Sequence, residues 1–201
     1  MPATDPADAM PDPMFHHSRS CLIVIDVQDY FLTKLPEAER APLVARIAWL
    51  MRVARALDLP IATTAEDIPR DGPLVEALTA LLPEGHIVFD KRIFGLMDQP
   101  DIAAAIRATG RSEFVLVGLE TDVCVAHSAL GLMAAGHKVA VIADACGSPV
   151  PHHAAGLRRL RDAGIAVTDT KGIFYEWVRD LAVHGKVLGA IGRDPPPGMT
   201  L

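Results

Sequence analysis

Two rhythms of apolar residues alternate along this chain. Short, nearly unbroken apolar runs occur at Cys21 to Val27, Pro60 to Thr64, His86 to Asp90, Phe114 to Val117, Val139 to Ala143 and Ile165 to Thr168. Between them lie segments whose apolar residues recur three and four apart: Pro42 to Leu57, Pro73 to Leu82, Pro100 to Ala108, Cys124 to Gly136, His152 to Ala163 and Phe174 to Val183. Continuous apolar runs suit parallel strands buried on both faces, and the helical spacing suits helices with one face on a sheet. Strictly alternating strands and helices predict a single doubly wound, three-layer α/β domain with a six-stranded parallel sheet, in the common order 3-2-1-4-5-6.

The pattern lapses at both ends. Residues 1–18 are rich in Pro, Asp and Ala without an apolar period and are expected to form an N-terminal arm, disordered or draped on a neighbour. The domain is expected to fill 19–192, and the Pro- and Gly-rich residues 193–201 read as a loose C-terminal tail. The segment Ala65 to Gly72 reads as a polar loop.

Composition narrows the picture. The 201 residues suffice for one well-cored domain, and half of them are hydrophobic. A net charge of −6 argues against nucleic acid and anionic membranes as partners. Three cysteines without CxxC spacing suggest neither a disulfide framework nor a zinc site. No apolar run approaches the roughly 20 residues of a membrane span, and no secretory signal pattern opens the chain. These features predict a soluble protein of a reducing cytoplasm.

The candidate chemistry gathers at the carboxyl ends of the predicted strands. Strand four stops at Gly118, a polar turn Leu119-Glu120-Thr121-Asp122 follows, and Cys124 then enters a helix. That position, where a helix dipole and unpaired amides favour a thiolate, makes Cys124 a candidate nucleophile. Strand one ends in Asp26, a carboxylate that is costly there unless it is paired or works chemically. Capping of the turn Gln28-Asp29-Tyr30 is the competing role for Asp26, and both readings stay open. The strand order makes strands one and four neighbours, so Asp26 and Cys124 come together, with Lys91 after strand three on the same edge. Strand one leads into no Gly-x-Gly, which weakens a dinucleotide reading. His127, one helical turn past Cys124, and Cys146 are rival catalytic groups; Cys21, at the far end of strand one, is expected to be packing.

Three short motifs in this order resemble the isochorismatase-like cysteine hydrolases, which include nicotinamidases and N-carbamoylsarcosine amidohydrolases. The resemblance spans roughly Cys21 to Asp180. It rests on Asp26, Gln28 and Phe31, on Asp90-Lys91-Arg92-Ile93-Phe94, and on Gly118, Thr121, Asp122, Cys124 and Val125, with Asp144, Ala145 and Gly147 downstream. It implies a catalytic triad of Asp26, Lys91 and Cys124, a cis peptide at Leu119–Glu120, and an oxyanion hole from the backbone amides of Glu120 and Cys124. It further implies a pocket touched by Phe31, Phe94 and Leu119, a small-molecule substrate, no cofactor, and a homo-oligomer. Nicotinamidases hold a metal through histidines after the second strand; Thr63 to Asp71 has none, so no metal is indicated.

The implied reaction is hydrolysis of an amide-type carbon–nitrogen bond through a thioester. Asp26 would take the thiol proton while Lys91 lowers the thiol pKa. Two readings compete: a vinyl-ether hydrolase of the type that names the family, whose members lack the cysteine, and a non-catalytic binding subunit with an inherited pocket.

Overall fold

A computed structural model describes residues 12–201. In chain order, β1 (Ser20–Ile25) leads through α1 (Asp29–Leu32) into the long α2 (Glu37–Ala56). β2 (Ile61–Glu66) is followed by two single turns, α3 (Ile68–Asp71) and α4 (Glu76–Thr79), and β3 (Val88–Lys91) by α5 (Pro100–Ala108). Next come β4 (Glu113–Leu119), a π-helical turn Thr121–Val125 and α6 (Ala126–Ala134). The chain continues through β5 (Lys138–Gly147), α7 (His152–Asp162), β6 (Ala166–Thr168), α8 (Thr170–Val178) and α9 (Leu181–Ile191). All six strands are parallel, in the order β3-β2-β1-β4-β5-β6. The expected architecture and strand order are therefore observed.

The period of two along each strand builds the layers. Leu22 and Val24 of β1, with Val115, Val117 and Leu119 of β4, face a core completed by α2, α8 and α9. Cys21, Ile23 and Ile25, with Phe114 and Leu116, face the opposite core, which α5, α6 and α7 cover. Every residue of β1 and β4 is buried, as expected for central parallel strands. No helix among the described residues is long and apolar enough to cross a membrane.

Several expectations change. β2 runs on to Glu66, so the start of the expected polar loop is strand. The predicted helix over 174–183 is two helices, because Arg179 turns left-handed (φ 55°) and Asp180 caps α9 by accepting from the Val183 amide. Residues 1–11 of the expected arm lie outside the described residues. The rest of the arm docks on its own domain: Phe15 is buried and Lys138 Nζ donates to the carbonyls of Asp12 and Met14. The tail is also attached, with Pro196 buried, Arg46 donating to the Pro197 carbonyl, and Met199 and Leu201 packed on the core.

The junction of β1 and β4 depends on one glycine. Gly118 has φ 124°, and a Cβ there would stand 2.0 Å from the Ile25 carbonyl oxygen. Gly118→Ala is expected to cost about 3 kcal/mol through clash and backbone strain. A urea unfolding midpoint matching that of the unchanged protein would contradict this account of the strand junction.

Candidate active site

The carboxyl ends of β1, β2, β3 and β4 converge on one buried cation. Asp26 directly follows β1 in the left-handed region (φ 50°), a turn that aspartate tolerates better than most residues. Its amide donates to the Thr64 carbonyl and its Oδ1 accepts from Thr64 Oγ1 at 2.8 Å. Lys91 ends β3, in register with Glu66 at the end of β2. Its side chain is fully buried, with Nζ 2.9 Å from Asp26 Oδ2, 2.9 Å from Glu66 Oε2 and 3.5 Å from Cys124 Sγ. The contact to Asp26 Oδ2 is an ion pair between two fully buried groups.

Cys124 lies within the π turn rather than in the first turn of α6. Its Sγ donates to Glu66 Oε2 at 3.1 Å. The turn is fastened from several sides. Ser148 Oγ donates to Asp122 Oδ1 at 2.6 Å, Thr121 Oγ1 shares a 2.8 Å hydrogen bond with His153 Nδ1, and Ser128 Oγ donates to the Cys124 carbonyl at 2.6 Å. Gly156 of α7 lets that helix approach closely: a Cβ there would be 2.8 Å from Asp122 Cα. The Leu119–Glu120 peptide entering the turn is cis.

Glu66 is held by a second polar device. Gln28 Nε2 donates to the carbonyls of Glu66 (2.8 Å) and Gly72 (2.7 Å), while Gln28 Oε1 accepts from the Glu66 amide at 2.6 Å. A buried amide side chain thus pins the backbone of the carboxylate that reaches the thiol.

Electrostatics favour a resting thiol. Burial pushes the Cys124 pKa well above the ordinary thiol value; the Asp26 and Glu66 carboxylates push the same way, and Lys91 opposes them. A thiolate would be a third anion beside a single cation. Burial alone would lower the Lys91 ammonium, but Asp26, Cys124 and Glu66 override it and hold its pKa above that of a free lysine. Burial raises the Asp26 carboxyl, against the pull of Lys91 and Thr64. Lys91 does lower the thiol pKa, as expected, but burial and the two carboxylates outweigh it, so the net shift at Cys124 is upward and not the depressed value the sequence suggests.

Asp26, Glu66 and Cys124 offer ligand atoms within 4.8 Å of one another. The Lys91 ammonium already contacts all three, which makes it the cation of this cluster. A cavity of about 320 Å³ opens on Lys91 and Glu66, bordered by Phe94, Asp67, Arg70 and Arg92. A larger cavity of about 760 Å³ lies away from this chemistry, between α2 and Pro195 to Pro197.

A family model described as the isochorismatase domain matches residues 20–172, a span that contains every group of this cluster. The chain belongs to the isochorismatase family. Mouse isochorismatase domain-containing protein 2A is 30% identical over 184 residues, covering 89% of this chain and 84% of the mouse protein. The probable hydrolase YcaC of Escherichia coli is 29% identical over 164 residues, covering 80% and 78%. Its crystal structure, described as an octameric hydrolase of unknown specificity, superposes with a TM-score of 0.78 at 24% identity, over 90% of this chain and 92% of that one. YcaC from Pseudomonas aeruginosa, solved with hexane-2,5-diol and covalent acrylamide, superposes with a TM-score of 0.80 at 24% identity, over 90% and 93%. At the level these relatives carry, the chain is an isochorismatase-family hydrolase.

Within this family member, the structure brings Asp26, Lys91 and Cys124 together and adds Glu66, which the sequence pattern places in a polar loop. The other expected residues divide. Phe94 is exposed and lines the cavity beside Lys91. Phe31 and Leu119 are buried in the α2-side core and line neither wall of that cavity. Glu120 turns its carboxylate to Lys34, 3.3 Å away, and Lys34 Nζ sits 4.4 Å over the Phe31 ring. His127 is exposed, with its ring edge-on to Phe94, so it does not pair with Cys124. Cys146 is buried and directed at the Leu116 carbonyl, and burial raises its pKa to about 12. Cys21 is buried packing, as expected.

Two measurements test this electrostatic account. Ultraviolet titration of the native protein against Cys124→Ser should show no Cys124 thiolate below the ordinary thiol pKa of about 8.5; a step near neutrality would refute the resting thiol. Lys91→Met leaves two carboxylates facing each other and is expected to cost about 3–5 kcal/mol at pH 7. Burial already holds the folded pKa of Asp26 above its unfolded one, and loss of the ammonium raises it further, so the cost of ionising Asp26 grows with pH and is larger in the variant. The stability gap between Lys91→Met and the parent should therefore widen from pH 5 to pH 8 in urea melts; a constant gap would contradict it.

Proposed function

We propose that this hydrolase cleaves an amide-type carbon–nitrogen bond of a small molecule, with Cys124 as nucleophile and a thioester intermediate. The observation that carries the reading is the contact set of one sulfur: a buried ammonium at 3.5 Å and, at 3.1 Å, a carboxylate that borders an open cavity. A thiol beside a proton acceptor and a fixed cation is the arrangement nucleophilic acyl transfer requires. The acceptor removes the proton as sulfur attacks, and Lys91 Nζ stabilises the negative charge on sulfur as it forms. In this reading the backbone amides of Glu120 and Cys124 receive the oxyanion.

The cavity volume of about 320 Å³ suits a small substrate, with the Phe94 ring as its apolar wall. Retention of the cysteine disfavours vinyl-ether hydrolysis. The octamer described for E. coli YcaC supports a homo-oligomeric state for this protein.

The test is turnover of a panel of small primary amides, read as ammonia release, by the parent and by Cys124→Ala. The parent should release ammonia from at least one amide. Cys124→Ala should be inactive while keeping its urea midpoint close to that of the parent. A Cys124→Ala protein as active as the parent would end the thioester mechanism.

A further inference from the structure

Three side chains fasten the turn that carries Cys124, and only two of them join it to another element. Ser128 belongs to the same segment, so its bond to the Cys124 carbonyl at 2.6 Å is local. Ser148, just past β5, donates to Asp122 Oδ1 at 2.6 Å and accepts from the Asp122 amide at 3.4 Å. His153, in the first turn of α7, meets Thr121 Oγ1 through Nδ1 at 2.8 Å. The Asp122 side chain is 28% exposed, so water can replace a lost partner there. Thr121 is fully buried, and among the described residues His153 is the one hydrogen-bond partner of its hydroxyl. A buried hydroxyl that loses its partner bears the whole cost of desolvation.

His153 approaches the turn from behind. With Ser148 it lines a cavity of about 440 Å³ between the start of α2, the end of β5 and the start of α7. That cavity shares no lining residue with the one bordered by Lys91 and Glu66. Gly156, one turn further along α7, permits the close approach: a Cβ there would stand 2.8 Å from Asp122 Cα and 2.9 Å from the Asp122 nitrogen. Burial holds the His153 pKa below the ordinary histidine value, against the pull of Glu39 and Asp122. The neutral ring is thereby favoured, and its Nδ1 serves the threonine hydroxyl as donor or acceptor according to tautomer.

We propose that His153 is a positioning residue for Cys124. Through Thr121 it fixes the turn that holds the thiol against Lys91 and Glu66, without bonding to the thiol or lining the catalytic cavity. The inference rests on Cys124 being the nucleophile of the thioester reading above. Thr121 opens the five-residue turn Thr121–Val125, so the clasp acts at the end where the chain leaves β4 and before it settles into α6.

Loss of the clasp should move two reactions of the same sulfur in opposite directions. Burial and the carboxylates of Asp26 and Glu66 raise the Cys124 pKa, so a loosened turn releases the thiol toward ordinary thiol behaviour and toward reagent. Productive attack on a bound substrate needs the reverse, because a misplacement of an ångström costs about a hundredfold in rate. His153→Phe keeps a ring and removes the hydrogen bond. Iodoacetamide should label its Cys124 about tenfold faster than in the parent, with the modified cysteine identified by peptide mass and the buried Cys21 and Cys146 as controls. Its kcat for amide hydrolysis should fall about a hundredfold with KM little changed. His153→Asn, whose side-chain amide can take the place of Nδ1, should restore most of both. Thr121→Val removes the hydroxyl and keeps the shape, and should match His153→Phe; the double variant should be no worse than either single one.

Parental labelling and kcat in His153→Phe would overturn the inference, as would additive effects in the double variant. Faster labelling of Cys21 and Cys146 together with Cys124 would overturn it too, because it marks a general loss of stability. Selective, non-additive acceleration at Cys124 in a protein whose parent releases ammonia from no amide would sustain the positioning role and defeat the amidase reading instead.

Discussion

The buried ammonium of Lys91 is the constraint that organises this molecule. An unpaired ammonium in a protein interior is costly by several kcal/mol, so it persists only where counter-charges are already in place. Here the counter-charges come from two other strands: Asp26 at the end of β1 and Glu66 at the end of β2. The order β3-β2-β1-β4 is what makes this possible. Lys91 reaches inward from β3 past its register partner Glu66 toward Asp26, and β4 delivers the thiol from the other side. Any rearrangement of the strands would strand a charge.

The thiol needs equal restraint, because a nucleophile misplaced by an ångström loses much of its rate. The turn around Cys124 cannot rely on regular helix geometry for this, since its hydrogen bonding is π-like. It is held instead through Ser148 just past β5, from α7 through His153 and the close approach at Gly156, and from α6 through Ser128. Gly118 completes the frame by letting β4 pass against the Ile25 carbonyl as the strand hands over to the turn. The small residues that look like gaps in the apolar pattern are the points where backbones must touch.

Much of this was legible in the sequence, for identifiable reasons. Unbroken apolar runs separated by helical periods have few solutions other than a doubly wound sheet, and that sheet places the residues after strands one, three and four on one edge. Asp26, Lys91 and Cys124 could be found because each directly follows or ends an apolar run. Glu66 could not be found that way. β2 is short and threonine-rich, IATTAE, so its apolar signal fades before its last residue and Glu66 looked like loop. Strand register supplies the missing signal: Thr64 and Glu66 share one face of β2, Thr64 bonds to Asp26, and Glu66 is level with Lys91. The break at Arg179 was hidden for a different reason. Apolar residues continue through it, and only the left-handed turn with the Asp180 cap divides the helices. The tail and the end of the arm were misjudged because composition reports the absence of a period, whereas a few anchors such as Phe15 and Pro196 suffice to dock a segment.

The charge balance also bears on what can react here. Among the cluster's groups one cation faces two carboxylates, so a thiolate beside them would add a third anion and is disfavoured. Sulfur must therefore lose its proton and gain its new bond in a coupled way, with the charge passed onward to the substrate oxygen. An electrophile that can accept that charge, such as a carbonyl, meets this condition. An anionic group directed at the sulfur would meet the two carboxylates first, and the arginines at the mouth, Arg70 and Arg92, are already engaged by Asp71, Asp67 and Asp90. A neutral amide satisfies both demands. It brings no charge into the cluster, and it develops a negative oxygen only as the proton reaches a carboxylate held ready to receive it.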